Sequence, residues 1–260
     1  GEGYVFSAKA TEAKNTTFIK FGAHYDQLYK SAALLNLTKK QLLLKNDVLS
    51  LDFILGDNSR YNFDYYIDKG FYWSVGINSK YIGFTNFTNP RSLISESVDP
   101  NIDKIQMNFS EFTHQFFVET LIKKDLALKI GIELKDLKIT TNDNVFLTVF
   151  DTPEYKFEDG EYYSLFGSIK IDTIDNELFP TSGFLFEGSS KFYFGSSALR
   201  DDFNELSIFK SKISKAFTIV DKLSINITTE GGFKVGSSNT KALHFGLGGY
   251  GSDYFNNYST

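Results

Sequence analysis

The chain has 260 residues, a net charge of −5 and 42% hydrophobic residues, which is enough for a folded core and excludes a disordered chain. Its lysines and arginines are scattered rather than clustered, so we expect no nucleic-acid partner. The absence of cysteine excludes disulfides and thiolate metal sites. No run approaches the roughly eighteen apolar residues of a membrane helix.

Apolar and polar residues alternate with a period of two along most of the chain, which predicts an all-β protein built from eleven antiparallel strands. The predicted strands are 17–26, 30–40, 47–56, 60–68, 70–85, 111–122, 125–139, 161–174, 183–195, 205–218 and 221–233. Every proline falls between these strands, where a missing amide donor harms no ladder. These prolines are Pro90, Pro100, Pro153 and Pro180.

The third and seventh predicted strands show most clearly that the two faces of the sheet differ. Leu49 and Leu51 alternate with Ser50 and Asp52, and an apolar row from Leu126 to Leu134 alternates with a row that carries charges. Such alternation makes one face apolar, and that face could meet either a protein core or lipid. The two possibilities are a soluble β-sandwich or barrel, and a transmembrane β-barrel.

Connection lengths and charges favour the transmembrane barrel. Long connections, such as those after the fifth and seventh strands, collect at one rim and short turns at the other, as in outer-membrane barrels. Charges on the polar face would be costly in a dry core but are solvated in a wet lumen. We therefore predict that the lumen-facing residues are Asp52, Asp64, Lys129, Glu133, Lys170, Asp172, Glu187 and Lys191. The predicted lipid-facing residues are Leu49, Leu51, Phe53, Leu55, Trp73, Leu128, Ile130 and Ile132, with Trp73 in an aromatic girdle at the interface.

The run DNELFPTSG, residues 175–183, resembles the periplasmic turn of barrels in the outer-membrane assembly and translocation superfamily (BamA and TamA types). The motif residues are Asp175, Phe179, Pro180, Thr181 and Gly183. The run FGLGGYGSDYF resembles the start of that family's large sixth loop, which implies a role there for Gly246, Gly248, Gly249 and Gly251. The family's usual Val-Arg-Gly element at the loop tip is replaced by Tyr-Phe-Asn-Asn. A family barrel has sixteen strands, so the resemblance implies that the last strands are missing here.

A narrower resemblance implies a domain organisation and a function. The stretches FIKFGAHYDQLYKSAALLNLT and LDFILGDNSRYNFDYYIDKGFYWSVGI are similar to the barrel that follows a patatin-like phospholipase domain and one POTRA domain in Flavobacterium-type bacteria. Residues 1–14 would then end a POTRA-like domain, and residues 15–260 would form an incomplete barrel in the bacterial outer membrane. The barrel would anchor, and could export, the phospholipase. The partners implied are outer-membrane lipid, the upstream domains and a second copy of the barrel.

Two other functions stay open: a barrel that translocates or assembles other proteins, and a soluble β-rich binding module. Enzymatic activity is not expected from these residues, because no G-x-S-x-G nucleophile elbow occurs.

No cofactor and no metal are expected either. The glycine run at 246–251 fits G-x-G-x-x-G, but no helix pattern follows it. His24, His114 and His244 lack paired spacing. The acidic loops lack a calcium-binding frame, so solvated loops are the simpler interpretation.

Overall fold

The computed structural model describes residues 15–26, 30–88, 104–141, 155–197 and 203–236, which form one antiparallel sheet whose strand order is the chain order. The strands are β1 (Thr17–Asp26), β2 (Lys30–Lys40), β3 (Asp47–Gly56), β4 (Arg60–Ile67), β5 (Ser74–Thr88), β6 (Ile105–Lys123), β7 (Leu126–Thr141), β8 (Tyr155–Asp172), β9 (Gly183–Ser196), β10 (Leu206–Val220) and β11 (Leu223–Gly236). In the described ranges, no helix is long and apolar enough to cross a membrane.

All eleven predicted strands are present, and the bounds of the first three are as predicted. β6 and β8 each begin six residues earlier than expected, because strand pairing continues toward the long connections.

The predicted start of β5 at residue 70 is wrong, since residues 68–73 form a turn. Gly70 adopts φ +64°, and its amide donates to the Asp68 carboxylate at 2.7 Å. The Lys69 amide donates to Ser74 Oγ at 2.9 Å. Trp73 therefore lies in the turn and not on a strand.

The pairing register fixes which side chains share a face. Lys129 of β7 lies opposite Glu119 of β6 and Ser168 of β8, whereas its neighbour Ile130 lies opposite Val118 and Gly167. Because side chains alternate along a strand, these two rows project from opposite faces of the sheet. We call the face of Lys129 the inner face and the face of Ile130 the outer face.

Burial on the two faces is the reverse of that in a water-soluble protein. On the inner face, Glu111 and Lys135 are each only 2% exposed. On the outer face, Ile130 and Ile132 are 56% and 55% exposed. In its middle part, the sheet thus packs charged side chains inward and presents apolar side chains outward.

Candidate functional surfaces

A band of ion pairs crosses the middle of the inner face on β5 to β9. The Glu111 carboxylate lies 2.9 Å from Lys135 Nζ and 3.9 Å from Lys80 Nζ, and Thr113 donates to it at 2.8 Å. The Glu133 carboxylate accepts from Lys191 at 2.6 and 2.8 Å. Each of these buried carboxylates therefore has a cationic partner from another strand.

Amides and carboxylates continue this band across β2 to β5. Asn36 donates to Asp52 at 2.6 Å, and Asn78 donates to Asp64 at 2.7 Å and to Asn62 at 2.8 Å. Asn62 also donates to Asp64, and to Asp52 at 3.4 Å, which joins β4 to β3. These part-buried groups form a continuous hydrogen-bonded layer over four strands.

Toward the short turns, the inner face carries a second set of ion pairs. Lys129 contacts Glu119 at 2.9 Å and lies over the Phe117 ring, 4.3 Å from its centroid. Lys170 contacts Asp172 at 3.2 Å and Glu187 at 3.5 Å. All eight residues predicted to face a lumen therefore share the inner face, and its contact with water stays a prediction.

Toward the long connections, the inner face is apolar, which the alternation pattern did not predict. Phe84 and Phe109 stack at 4.7 Å between ring centroids, and Tyr162 meets Tyr193 edge to face at 6.4 Å. Other buried members of this layer are Ile105, Met107, Leu137, Ile139, Leu206 and Ile208. The alternation of Ile105, Met107 and Phe109 could have predicted this apolar layer, since these residues lie on the same face of β6 as Glu111.

The outer face carries an apolar band of limited height. On β7 it extends from Leu126 to Leu134, and charged residues, Asp136 and Lys138, take over toward the long connections. Eight residue steps of about 3.4 Å give a length of about 27 Å along the strand. At a tilt of about 40° this corresponds to a height of about 21 Å, close to the roughly 25 Å apolar band of outer-membrane barrels.

Seven of the eight residues predicted to face lipid lie on the outer face, and the eighth, Trp73, projects from the turn before β5. The seven are Leu49, Leu51, Phe53, Leu55, Leu128, Ile130 and Ile132. Their contact with lipid stays a prediction.

The turn at 173–182 is organised by Asp175. Its carboxylate accepts hydrogen bonds from the amides of Thr181 and Ser182 at 2.9 and 3.1 Å and from the Thr181 hydroxyl. These hydrogen bonds, first of all that from the Thr181 hydroxyl, hold the pKa of Asp175 well below its ordinary value. The Asp and Thr of the predicted motif thus close the turn on each other.

Gly183 ends this turn at φ +117°. A Cβ atom there would lie 2.3 Å from the Thr173 carbonyl oxygen, so only glycine fits without rearrangement. The other two motif residues, Phe179 and Pro180, lie on the turn itself, and Phe179 is exposed.

Three short turns at the same end of the sheet expose large apolar side chains. We call this set the turn rim; it comprises Leu42, Leu43, Leu44, Phe71, Tyr72, Trp73, Leu178 and Phe179. The first of these turns is fixed by Asp47, whose carboxylate accepts from the amides of residues 42, 43 and 44 at 2.7 to 2.9 Å. Asp47 therefore fixes the backbone that carries the three exposed leucines of this turn.

Some predicted residues lie outside the described residues. These are the POTRA-like segment 1–14 and the glycines of the sixth loop, Gly246, Gly248, Gly249 and Gly251. Within the described part of the chain, no group of three or more His, Asp or Glu side chains could hold a metal ion.

Comparisons with known proteins support the barrel interpretation. The sequence profile of the OMP85 superfamily matches residues 4–260. The crystal structure of BamA from Haemophilus ducreyi lacking POTRA domains 1–3 is similar, with a TM-score of 0.61, 16% identity and coverage of 87% of this chain and 42% of that chain. This chain thus spans less than half of that BamA chain, and the likeness at this identity concerns the fold. No curated protein matches the chain.

Proposed function

Because this chain belongs to the OMP85 superfamily, we propose that its sheet forms part of the wall of a β-barrel in the bacterial outer membrane. The observation that carries this proposal is the reversed burial of the two faces. Full burial of one Ile, Leu or Phe side chain is worth roughly 1.5 to 3 kcal/mol. A water-exposed outer face would forgo that stabilisation at dozens of positions, whereas lipid provides it.

The boundaries of the outer apolar band support the same placement. Toward the long connections, charged and polar side chains replace apolar ones on β7, which fits a strand that emerges from hydrocarbon into water. Toward the short turns, the turn rim supplies Trp, Tyr and Phe side chains, which are enriched at membrane interfaces. The band between them, at about 21 Å, is close in height to the roughly 25 Å apolar band of outer-membrane barrels.

We further propose that the barrel anchors a patatin-like phospholipase domain through one POTRA-like domain and contributes to its export. The support is the similarity of residues 18–38 and 51–77 to barrels of such proteins. The 260 residues contain no nucleophile elbow, so the hydrolase would be supplied by another part of the protein. In this arrangement the barrel fixes the enzyme at the membrane that contains its substrate.

A second candidate, translocation or assembly of other proteins, is favoured by the similarity to the BamA barrel. It predicts several POTRA domains in the parent protein and no hydrolase. The soluble module is disfavoured, because it would have to expose the whole outer face to water.

The membrane placement is tested by the phase in which the folded protein is found. We expect the protein to float with lipid vesicles on a density gradient and to need detergent for extraction. A folded, monodisperse sample in detergent-free buffer would refute the barrel.

The enzyme-anchoring role is tested with the full-length protein. Cells that make it should release fatty acid from outer-membrane phospholipid, and a version without residues 15–260 should leave that activity unattached to the membrane. Full-length protein without phospholipase activity, but required for insertion of other barrels, would favour the second candidate.

A further inference from the structure

An apolar groove crosses the outer face from β7 to β11. It has a volume of about 890 Å³, and Trp73 of the turn rim lines one end of it. Aliphatic and aromatic side chains form its walls, among them Leu165, Phe192, Phe209 and Phe233. We propose that this groove binds an acyl chain of one phosphatidylethanolamine molecule, whose headgroup lies at the turn rim. The inference rests on the membrane placement proposed above and adds a specific lipid site to it.

Small residues on four neighbouring strands make the floor of the groove. Gly167 of β8 lies opposite Ser190 of β9, and the next row consists of Gly188 of β9, Ser211 of β10 and Gly231 of β11. A Cβ atom at Gly231 would meet no atom of the described residues within 4 Å. The nearest contact of a Cβ atom at Gly167 would be the Lys129 carbonyl oxygen, at 3.6 Å. These two glycines therefore leave open space above the sheet.

The groove has the width of a single side chain. Gly167 lies between Leu165 and Ile169, which project from the same face of β8. A single hydrocarbon chain fits such a space, whereas an α-helix, about 10 to 12 Å in diameter, is too wide for it. An acyl chain would also supply the dispersion contacts that the walls lack on their groove side.

The groove climbs from the turn rim toward the middle of the membrane. One row of paired residues leads from Leu128 of β7 to Gly231 of β11, four strands away. At about 4.8 Å per strand, this row is about 19 Å long. Leu128 is the third residue of its strand after a short turn, whereas Gly231 is the ninth. At a strand tilt of about 40° the row rises by about 12 Å, which is the path of an acyl chain that enters from the interface.

A polar depression adjoins the lower end of the groove, and Trp73 lines both. Its other lining residues include Asn46, Asp68, Lys69 and Tyr72. One ammonium group and one carboxylate match the two charges of phosphatidylethanolamine, with the phosphate at Lys69 and the amine at Asp68. Trp and Tyr side chains favour the headgroup level of a membrane. Because short turns of such barrels face the periplasm, the lipid belongs to the periplasmic leaflet.

The site is tested by native mass spectrometry of the full-length protein, released from detergent micelles after titration with phosphatidylethanolamine. We expect saturable retention of one lipid per chain. Gly167→Leu should weaken it roughly tenfold or more, because the leucine takes the space of several methylene groups of the acyl chain. Asp68→Asn should shift the preference toward phosphatidylglycerol, which has no amine.

Gly195→Leu is the matched control. Gly195 lies on the outer face of β9, outside the groove, and a Cβ atom there would make an ordinary contact with Tyr163 at 3.6 Å. We expect less than about a twofold change in lipid retention. Circular dichroism establishes that the variants are folded, and Gly231→Leu replaces Gly167→Leu if the latter is not.

Four results would overturn the proposal. The first two are a folded protein that retains no phospholipid, and equal weakening by Gly167→Leu and Gly195→Leu. The third is dissociation of a dimer by Gly167→Leu without an effect on lipid, which would assign the groove to a second copy of the chain. The fourth is equal retention of phosphatidylethanolamine and phosphatidylglycerol, which would refute the headgroup assignment. A protein that needs detergent but retains no phospholipid fails this inference alone, whereas one that is folded without detergent fails the proposed membrane placement.

Discussion

Replacing Ile130 by Arg tests the assignment of the two faces most directly. Ile130 is the third of five alternating apolar residues on β7, so it marks the middle of the outer apolar band. Arginine at the midplane of an outer-membrane barrel costs roughly 2 to 4 kcal/mol, because the guanidinium must leave water. We expect Ile130→Arg to lower the free energy of unfolding by that amount.

The measurement is urea unfolding of the full-length protein in lipid vesicles, with Gln106→Arg as the matched control. Gln106 lies on β6 and is exposed on the outer face, as Ile130 is. It lies near the long connection, beyond the apolar band described for β7. Arginine there should cost about 0 to 1 kcal/mol, the range for interfacial positions. A loss at Ile130 no larger than at Gln106 would refute the lipid assignment.

Lys129 provides the comparison across the sheet. Its ion pair with Glu119 is partly exposed, and such pairs contribute roughly 0 to 1 kcal/mol. Its contact with the Phe117 ring adds a similar amount at most. Lys129→Ala should therefore cost less than Ile130→Arg. Single cysteines at positions 129 and 130 should also differ in reactivity. Only the cysteine at 129 should react with a small water-soluble thiol reagent.

The remaining predictions concern catalysis and the turn at 173–182. Purified residues 1–260 should show no esterase turnover with a soluble ester, and turnover abolished by replacing one of their serines would contradict this. Because the folded-state pKa of Asp175 lies below its ordinary value of 3.8, its contribution to turn stability is complete above that pH and lost as the pH falls through the folded-state value. The protection of the Thr181 and Ser182 amides against hydrogen exchange, taken relative to the intrinsic exchange rate at the same pH, should therefore fall in acid. Asp175→Asn should remove this pH dependence of the protection. Gly183→Ala should destabilise by roughly 1 to 3 kcal/mol or more in the same urea assay, whereas Gly231→Ala, where a Cβ atom meets nothing within 4 Å, should be near neutral.

The sequence predicted the fold well because the strands repeat a simple physical constraint. A side chain on one face must meet a different medium from its neighbour, so the alternation of Leu49, Ser50 and Leu51 reveals both the strand and its two faces. The roles of turn residues such as Asp175 and Gly183 could also be predicted, because they depend on contacts within a few residues of the chain.

The parts that the sequence did not reveal depend on contacts between distant strands. Trp73 continues the pattern of a strand, but the local hydrogen bonds of Asp68 and Ser74 convert its segment into a turn. The apolar layer around Tyr162 and Tyr193 was missed because part of it, Ile105, Met107 and Phe109, lies before the predicted start of β6 at residue 111. Lys80 on β5 and Lys210 on β10 line one cavity on the inner face, and their approach depends on the curvature of the sheet, which no local sequence pattern encodes.

The identity of strand order and chain order has a consequence for how such a sheet can change in evolution. Every strand pairs with its immediate neighbours in sequence, without crossovers. Removal or duplication of one hairpin would therefore preserve the up-and-down direction of all other strands and the side to which each loop projects. Loss of a single strand would instead invert every later strand and exchange long loops with short turns. Chains of this kind should thus gain or lose strands in pairs, and hairpins are the natural units for recombining them.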